Sequence, residues 1–353
     1  MVELAAREVG LWRLAAQGVV PRGTGATQVV ERLGAVQAQD LRAAATAVAL
    51  RTGAGTAHDL TRALDAGEVV RSWPVRGTLH LIAARDLRPV LALCATRAVA
   101  ASARRRAELG IGEDDVAAAG DVARDLLAGG RRATRAQLLA AFERAGQGTA
   151  AGRGYHLLSH LSMTGVLCQG PLSGTEPAFA LLEEQHPAQP APDDPAAWWA
   201  ARYLRGHGPA SAADFAWWAG LPLGTARRAF AAVRDGFEVV EVDGVEHLVD
   251  PAVPDLVAAH RRALRGLHLL PGFDEFLLGY RDRQHVLADE HAPRVAPGGN
   301  GVFRGVVVAA GAVVGTWTRD GDGIAAAAFG EFSAAQRTAL QRRAAALPSG
   351  RFT

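Results

Sequence analysis

One supersecondary pattern recurs along the chain, and it constrains the fold more than any single residue does. The clearest copy opens at "TRAQLLAAFERAG", where Thr134 takes the N-cap position and Gln137 completes a capping box. After "QGTAAGRG" comes "YHLLSHLSMTGVL", with apolar residues at helical spacing and Gly165 near the stop. "VLCQGPLSGTEPAFALL" then reads as strand, Gly/Pro/Ser turn, strand. The pattern returns at "SAADFAWWAGL", where Ser211 and Asp214 repeat the capping box, with "LGTARRAFAAVRDG" as second helix. "FEVVEVDGVEHLVD" follows, alternating around a tight hairpin turn at Asp243-Gly244. A less regular copy opens the chain: "GATQVVERLGAVQAQ", then "TAHDLTRALDAGEVVRSW", then "RGTLHLI". Helix, turn, helix, hairpin is the winged-helix plan, so three such motifs in tandem are predicted.

Between the second and third copies, "EEQHPAQPAPDDPAAW" reads as a proline-rich linker. Beyond residue 264 the character changes. "HLLPGFDEFLLGYRDR" leads into "NGVFRGVVVAAGAVVGTWTRDGDGIAAAAF", a β-meander by its alternation, its Asn300-Gly301 turn and its glycines. A final helix, "SAAQRTALQRRAAAL", carries arginines on a solvated side. The expected class is therefore α+β and mainly helical. Winged-helix regions are assigned to 1–115, 116–190 and 191–264, and a small β-barrel or β-sheet domain to 265–353.

At 353 residues the chain is too long for one ordinary core. With 49% apolar and 21% charged residues it belongs among soluble globular proteins. No stretch approaches the roughly 20 uncharged apolar residues of a membrane span. The acidic "MVELAAREVG" does not resemble a signal peptide. Cys94 and Cys168 alone exclude a disulfide framework or a four-cysteine zinc site, and a cytoplasmic setting is expected. The net charge is +2, and every strong cation is arginine, for the chain has no lysine. A GC-rich genome accounts for that bias. Its consequence is chemical, since arginine makes forked contacts to phosphate and guanine.

Against this background "LGAVQAQDLR" stands out, with Gln37 and Gln39 set into an apolar run. In an extended segment, positions two apart project to the same side, so both carboxamides would converge. An amide offers an acceptor oxygen and two donor hydrogens, and it stays neutral at working pH. The plain alternative is a pair of surface or backbone-bonded glutamines.

"VQAQD", "RSWPVRGTLHLI", "LLPGFDEFLLGYRDR" and "NGVFRGVVV…VVGTW", in that order, make the chain similar to the AlkZ-type bacterial DNA glycosylases. The resemblance covers nearly the whole length. It implies tandem winged helices, a C-terminal β-domain and a catalytic Gln–apolar–Gln motif, matched by Gln37, Ala38 and Gln39. It also implies a monofunctional DNA glycosylase acting on N7-alkylated purines, unhooking interstrand crosslinks and giving resistance to an alkylating agent such as azinomycin. Some members carry Gln-x-Asp instead and favour other adducts. A purine alkylated on N7 is already cationic, so its glycosidic bond breaks without an acid. Two amide oxygens would then stabilise the sugar oxocarbenium ion and orient the attacking water. The rival class is a non-catalytic winged-helix regulator, which the repeated motif alone would favour.

The expected DNA contacts are Arg71, Arg76 and His80 in the first wing, Arg104 in the "RRR" run, and Arg281 and Arg283 in "GYRDR". Each has a structural counterpart: salt-bridged arginines in the wing, a solvated helix face at Arg104–Arg106, an ion network at the "GYRDR" junction. Trp73 reads as core. Asp274 and Glu275 suit either acid–base work or capping and pairing. His156 and His160 have metal-compatible spacing but lack a neighbouring third ligand, so no metal or organic cofactor is expected. The expected partner is duplex DNA, and the expected state a monomer.

Overall fold

In the computed structural model, which describes residues 2–23, 25–53, 55–187, 190–299, 301–321 and 323–348, both predicted capping boxes form. The Thr134 backbone N–H donates to Gln137 Oε1 at 2.8 Å, and the Gln137 N–H donates back to Thr134 Oγ1 at 3.3 Å. Ser211 and Asp214 exchange the same pair of bonds at 3.0 and 3.2 Å. In each case the preceding residue pairs with the strand of a hairpin further on. Ala133 bridges Phe179, and Ala210 bridges Leu248. Cap and bridge side by side tie the start of a helix to its hairpin, so the likeness between the copies extends to tertiary hydrogen bonds.

The molecule is 53% helical with three open sheets. It divides into two compact units, 1–60 with 196–352, and 61–195. The division at 195 falls in the proline-rich segment read as a linker.

In the unit 61–195, the helices Glu113–Leu127, Arg135–Arg144 and Arg153–Met163 accompany strands Leu167–Ser173 and Glu176–Leu181. A second hairpin, Val69–Val75 with Thr78–Ala83, joins them through the pairing of Arg71 with Gln169. Its two-residue turn has φ +52° at Arg76 and +68° at Gly77, the mirror-image geometry that matches strand twist. The helix 153–163 lays Leu157, Leu158 and Leu161 into the interior.

In the other unit, helices Ala212–Ala219 and Leu223–Val233 precede the hairpin Glu238–Val242/Val245–Val249. Its turn sits at Asp243 and Gly244, φ +48° and +76°, where the sequence places it. A strand of two residues, Val2–Glu3, pairs in parallel with Val240 and Glu241. Helix Ala6–Ala16 packs on Val253–Leu264, so the chain's first residues sit with its third repeat.

The C-terminal strands Leu267–Leu270, Gly305–Ala309, Ala312–Asp320 and Gly323–Ala328 form an antiparallel sheet in the order 4-3-2-1 of that sequence. The sheet is open, which corrects the barrel alternative. Four strands are too few to curl round and meet, and helix Ala334–Ala345 covers one face instead. Leu269, Val307 and Trp317 face that helix, while Leu270, Val306 and Val308 face the main core. Gly301 follows an Asn300 that lies outside the described residues. The first two of these strands are neighbours in space but are separated in sequence by 271–304, a long excursion carrying "PGFDEFLLGYRDR".

Candidate active site

Gln37 is the last residue of the strand Ala35–Gln37 and is only 8% exposed. Gly34 precedes that strand at φ +71°, and a Cβ there would come within 3.2 Å of Trp199 and 3.3 Å of Trp218. A residue with a side chain would therefore meet both strain and contact at this bend. The strand stops at Gln37. Gln39 stands in a bend and is exposed, and Asp40 caps the helix Leu41–Arg51 through the N–H groups of Arg42 and Ala43. The extended geometry expected to bring both carboxamides to one side thus covers only the first of them.

Behind Gln37 lies a buried polar assembly whose members are scattered through the sequence. The Gln37 N–H donates to Glu275 Oε1 at 3.2 Å. Glu275 Oε2 accepts from Trp218 Nε1 at 3.0 Å and lies 3.3 Å from His207 Nε2. Its carboxyl is 1% exposed. Tyr203 stacks on the His207 ring with centroids 4.5 Å apart, and the Tyr203 carbonyl oxygen lies 3.2 Å from His207 Nδ1. Gly279 allows this, since a Cβ there would approach His207 Cδ2 to 2.3 Å.

The neighbouring Asp274 caps the short helix Glu275–Leu278 and receives two 2.8 Å bonds from Arg51, both groups 1% exposed. Gln17 closes the assembly. Its Oε1 accepts from Arg51, and its Nε2 donates to the Glu275 carbonyl oxygen and the Tyr280 hydroxyl. The Arg13 guanidinium sits 3.5 Å above the Tyr280 ring. Burial pushes the Tyr203 and Tyr280 hydroxyls well above the usual phenol range, so both remain neutral donors. Asp274 and Glu275, weighed as acids or as pairing residues, are pairing and capping residues here. Arg51, Gln17, His207 and Trp218 carried no sequence signal, because no local spacing links positions so far apart.

The same unit holds Arg281, exposed, whose backbone N–H donates to Asp214 Oδ1 at 3.0 Å. Arg283 turns inward. Its Nε donates to the Leu277 carbonyl oxygen at 2.7 Å, and its guanidinium lies 4.8 Å over Trp217. Nearby, His285 Nε2 lies 3.2 Å from Asp243 Oδ2. These residues line an open cavity of about 970 Å³ with Arg7, His247 and Asp282.

In the unit 61–195, Arg71 is half-buried and its Nη1 donates to Gln169 Oε1 at 2.6 Å, across the strand pair. Desolvation brings its pKa down to about 10. Arg76 sits half-exposed at the hairpin tip. His80 is fully buried, with Nδ1 2.9 Å from the Thr78 carbonyl oxygen. Trp73 is core, and its Nε1 donates to Tyr155 Oη at 3.2 Å. Arg104 is 91% exposed and pairs with Glu108 at 3.0 Å, as Arg105 does at 3.2 Å. Arg106 departs from that solvated face, turning in to the Val99 carbonyl oxygen and Ser102 Oγ. Burial lowers the His156 and His160 pKa values, and no group of three metal-ligating side chains occurs among the described residues. The Cys94 and Cys168 thiols are buried and pushed up to about 12, which keeps them protonated and unreactive.

Comparison with known proteins gives the family. An interstrand DNA cross-link repair glycosylase of Streptomyces sahachiroi is 32% identical over 335 residues, covering 88% of this chain and 87% of that protein. The solved structure of the Streptomyces sahachiroi DNA glycosylase AlkZ matches with a TM-score of 0.80 at 28% identity, over 99% of this chain and 97% of that one. Residues 30–349, which include Gln37, Gln39 and the carboxylates behind them, match the AlkZ-like DNA glycosylase family, and the chain belongs to that family.

Proposed function

We propose that this DNA glycosylase hydrolyses the N-glycosidic bond of N7-alkylated purines and unhooks interstrand crosslinks, with Gln37 and Gln39 as the catalytic pair. One observation carries the reading: the Gln–apolar–Gln segment lies at a strand end whose last amide is held by the buried, hydrogen-bonded carboxyl of Glu275. Rigid support behind a short irregular segment is what a site built to orient weak catalytic groups needs.

The chemistry asks little of an acid. Alkylation at N7 leaves the purine cationic and ready to depart, so the barrier is set by charge developing on the sugar. Carboxamide oxygens of Gln37 and Gln39 stabilise that oxocarbenium ion, and one of them orients the water that attacks C1′. A neutral amide is a weaker base than a carboxylate, and the good leaving group makes that weakness tolerable.

Arg76 at the hairpin tip and the exposed Arg104 and Arg281 take DNA phosphates in this reading. Arg71, His80 and Arg283, engaged in the fold, support the elements that present them. The helix–helix–hairpin copies are read as three winged helices in the segments 1–115, 116–190 and 191–264, followed by the β-domain 265–353. The cap-and-bridge pairs at Ala133–Thr134 and Ala210–Ser211 support two of them. The protein acts as a monomer on duplex DNA and protects against an alkylating agent such as azinomycin.

The test is single-turnover excision from a duplex carrying N7-methylguanine and from one with a defined N7-guanine crosslink. Gln37→Ala and Gln39→Ala are each expected to slow excision by ~10- to 1000-fold, or about 1.4 to 4 kcal/mol of barrier. Affinity for DNA should stay nearly constant, because neutral amides release no counterions. A double variant with the wild-type rate sinks the catalytic assignment. DNA binding without abasic sites on either substrate would return the chain to the regulator class.

A further inference from the structure

We infer that Glu275 is a positioning residue for the reaction, holding the backbone of Gln37 through a hydrogen bond to its N–H; the inference rests on the catalytic reading of Gln37. A carboxylate with almost no exposure is costly to keep unless its oxygens are satisfied. Glu275 meets that condition through an indole, an imidazole and a backbone amide. Oε2 takes the Trp218 indole N–H and faces His207 Nε2, which leaves Oε1 directed at the Gln37 amide. Whichever of His207 and Glu275 carries the proton between them, the contact pins the carboxyl plane.

The supports of Glu275 are themselves fixed. His207 is clamped by the Tyr203 ring and by close approach of Gly279. Asp274, one residue before, is locked by two bonds to Arg51. Phe273 adopts φ +61°, a conformation that a bulky side chain avoids and that surrounding structure must enforce. This bend delivers both carboxyls inward. The segment that receives Glu275 is slight. Strand Ala35–Gln37 has three residues, and only Ala38 separates it from Gln39. A hydrogen bond from its last amide to a carboxyl held on its other side by Trp218 and His207 fixes the point from which the catalytic side chains extend. Displacement of such groups by about 1 Å typically costs on the order of 100-fold in rate.

The experiment is a cycle in the full-length protein: Glu275→Gln, Glu275→Ala, Gln37→Ala and the Gln37→Ala/Glu275→Gln pair. Each variant is assayed for single-turnover excision at saturating enzyme, affinity for undamaged duplex, and thermal unfolding. Glu275→Ala should slow excision by ~10- to 100-fold at unchanged affinity. Glu275→Gln keeps one acceptor oxygen and should recover most of that loss. In the Gln37→Ala background, Glu275→Gln should cost less than about 2-fold, because groups acting as a unit are not additive. If Glu275→Ala fails to fold, amide hydrogen exchange at Gln37 in Glu275→Gln substitutes, and it should be faster than in the wild type. Glu275 variants that are folded and excise at the wild-type rate overturn the inference while the catalytic pair stands. A Glu275→Gln penalty carried undiminished into the Gln37→Ala background also overturns it. If Gln37→Ala alone is silent, the catalytic reading fails, and the inference fails with it.

Discussion

Arg51 and Asp274 are 223 residues apart in sequence and meet as a bidentate pair with 1% exposure each. Removing one partner strands a buried charge, so Arg51→Ala or Asp274→Ala should lower stability by about 3 to 5 kcal/mol in urea unfolding. The double variant should lose less than the sum, and strict additivity would show that the pair is not energetically coupled. His268 gives a second residue-scale expectation. It is buried in the C-terminal sheet with Nε2 3.2 Å from the Leu264 carbonyl oxygen, and desolvation takes its pKa from 6.5 to about 4. The folded state keeps it neutral where the unfolded chain would take up a proton. The stability tied to this group is whole above pH 6.5 and is lost as pH falls from 6.5 towards 4, by ~3 kcal/mol for a shift of this size. A His268→Gln variant should show a flatter stability profile over that window, and an unchanged slope would refute the assignment. At this scale the sequence was readable only where residues lie close together. Gln37 and Gln39 are two apart. Arg51, His207, Trp218 and Glu275 become one assembly only through tertiary folding, and an isolated histidine or tryptophan in a helix announces no partner.

Elements were more legible than residues, because their signals are local. Thr134/Gln137 and Ser211/Asp214 became capping boxes, and Asp243-Gly244 became the hairpin turn. The first repeat was legible only in part. Its helix Ala26–Leu33 falls in one compact unit and its hairpin Val69–Val75/Thr78–Ala83 in the other, and helix Leu41–Arg51 intervenes. That hairpin supplies the element-scale test. Arg76 and Gly77 both have positive φ, so Arg76→Gly preserves the turn while deleting the charge. If this tip meets phosphate, the variant should weaken damaged and undamaged duplexes alike. It should also reduce the slope of log affinity against log salt by about one. Affinity measured from low to moderate salt decides this. A slope equal to the wild type would remove the hairpin tip from the DNA-binding surface and leave Arg104 and Arg281 to account for it.

For the molecule as a whole, periodicity conveyed the class and composition conveyed part of the chemistry, but neither foretold the non-local pairings. Val2–Glu3 joins the hairpin that begins at Glu238, a parallel pair of two residues each with no sequence signature. The C-terminal alternation, equally, does not say whether four strands close or stay open. Composition is informative in another way. All 38 Lys and Arg residues are arginine, so no ε-amine exists anywhere in the chain. Glycosylases that also cut the strand do so through an amine that condenses with the sugar aldehyde as a Schiff base, and guanidinium groups stay protonated and do not serve. Hydrolysis is then expected to end at an intact abasic site, with water rather than a lysine amine as nucleophile. Incubation of the protein with alkylated duplex and borohydride should therefore yield no covalent protein–DNA species. The product strand should break only on heating or in alkali. Gln37→Ala should reduce the number of heat-labile sites without changing their character. A borohydride-trapped adduct would show instead that the terminal α-amine reaches the sugar, and that water is not the only nucleophile in the site.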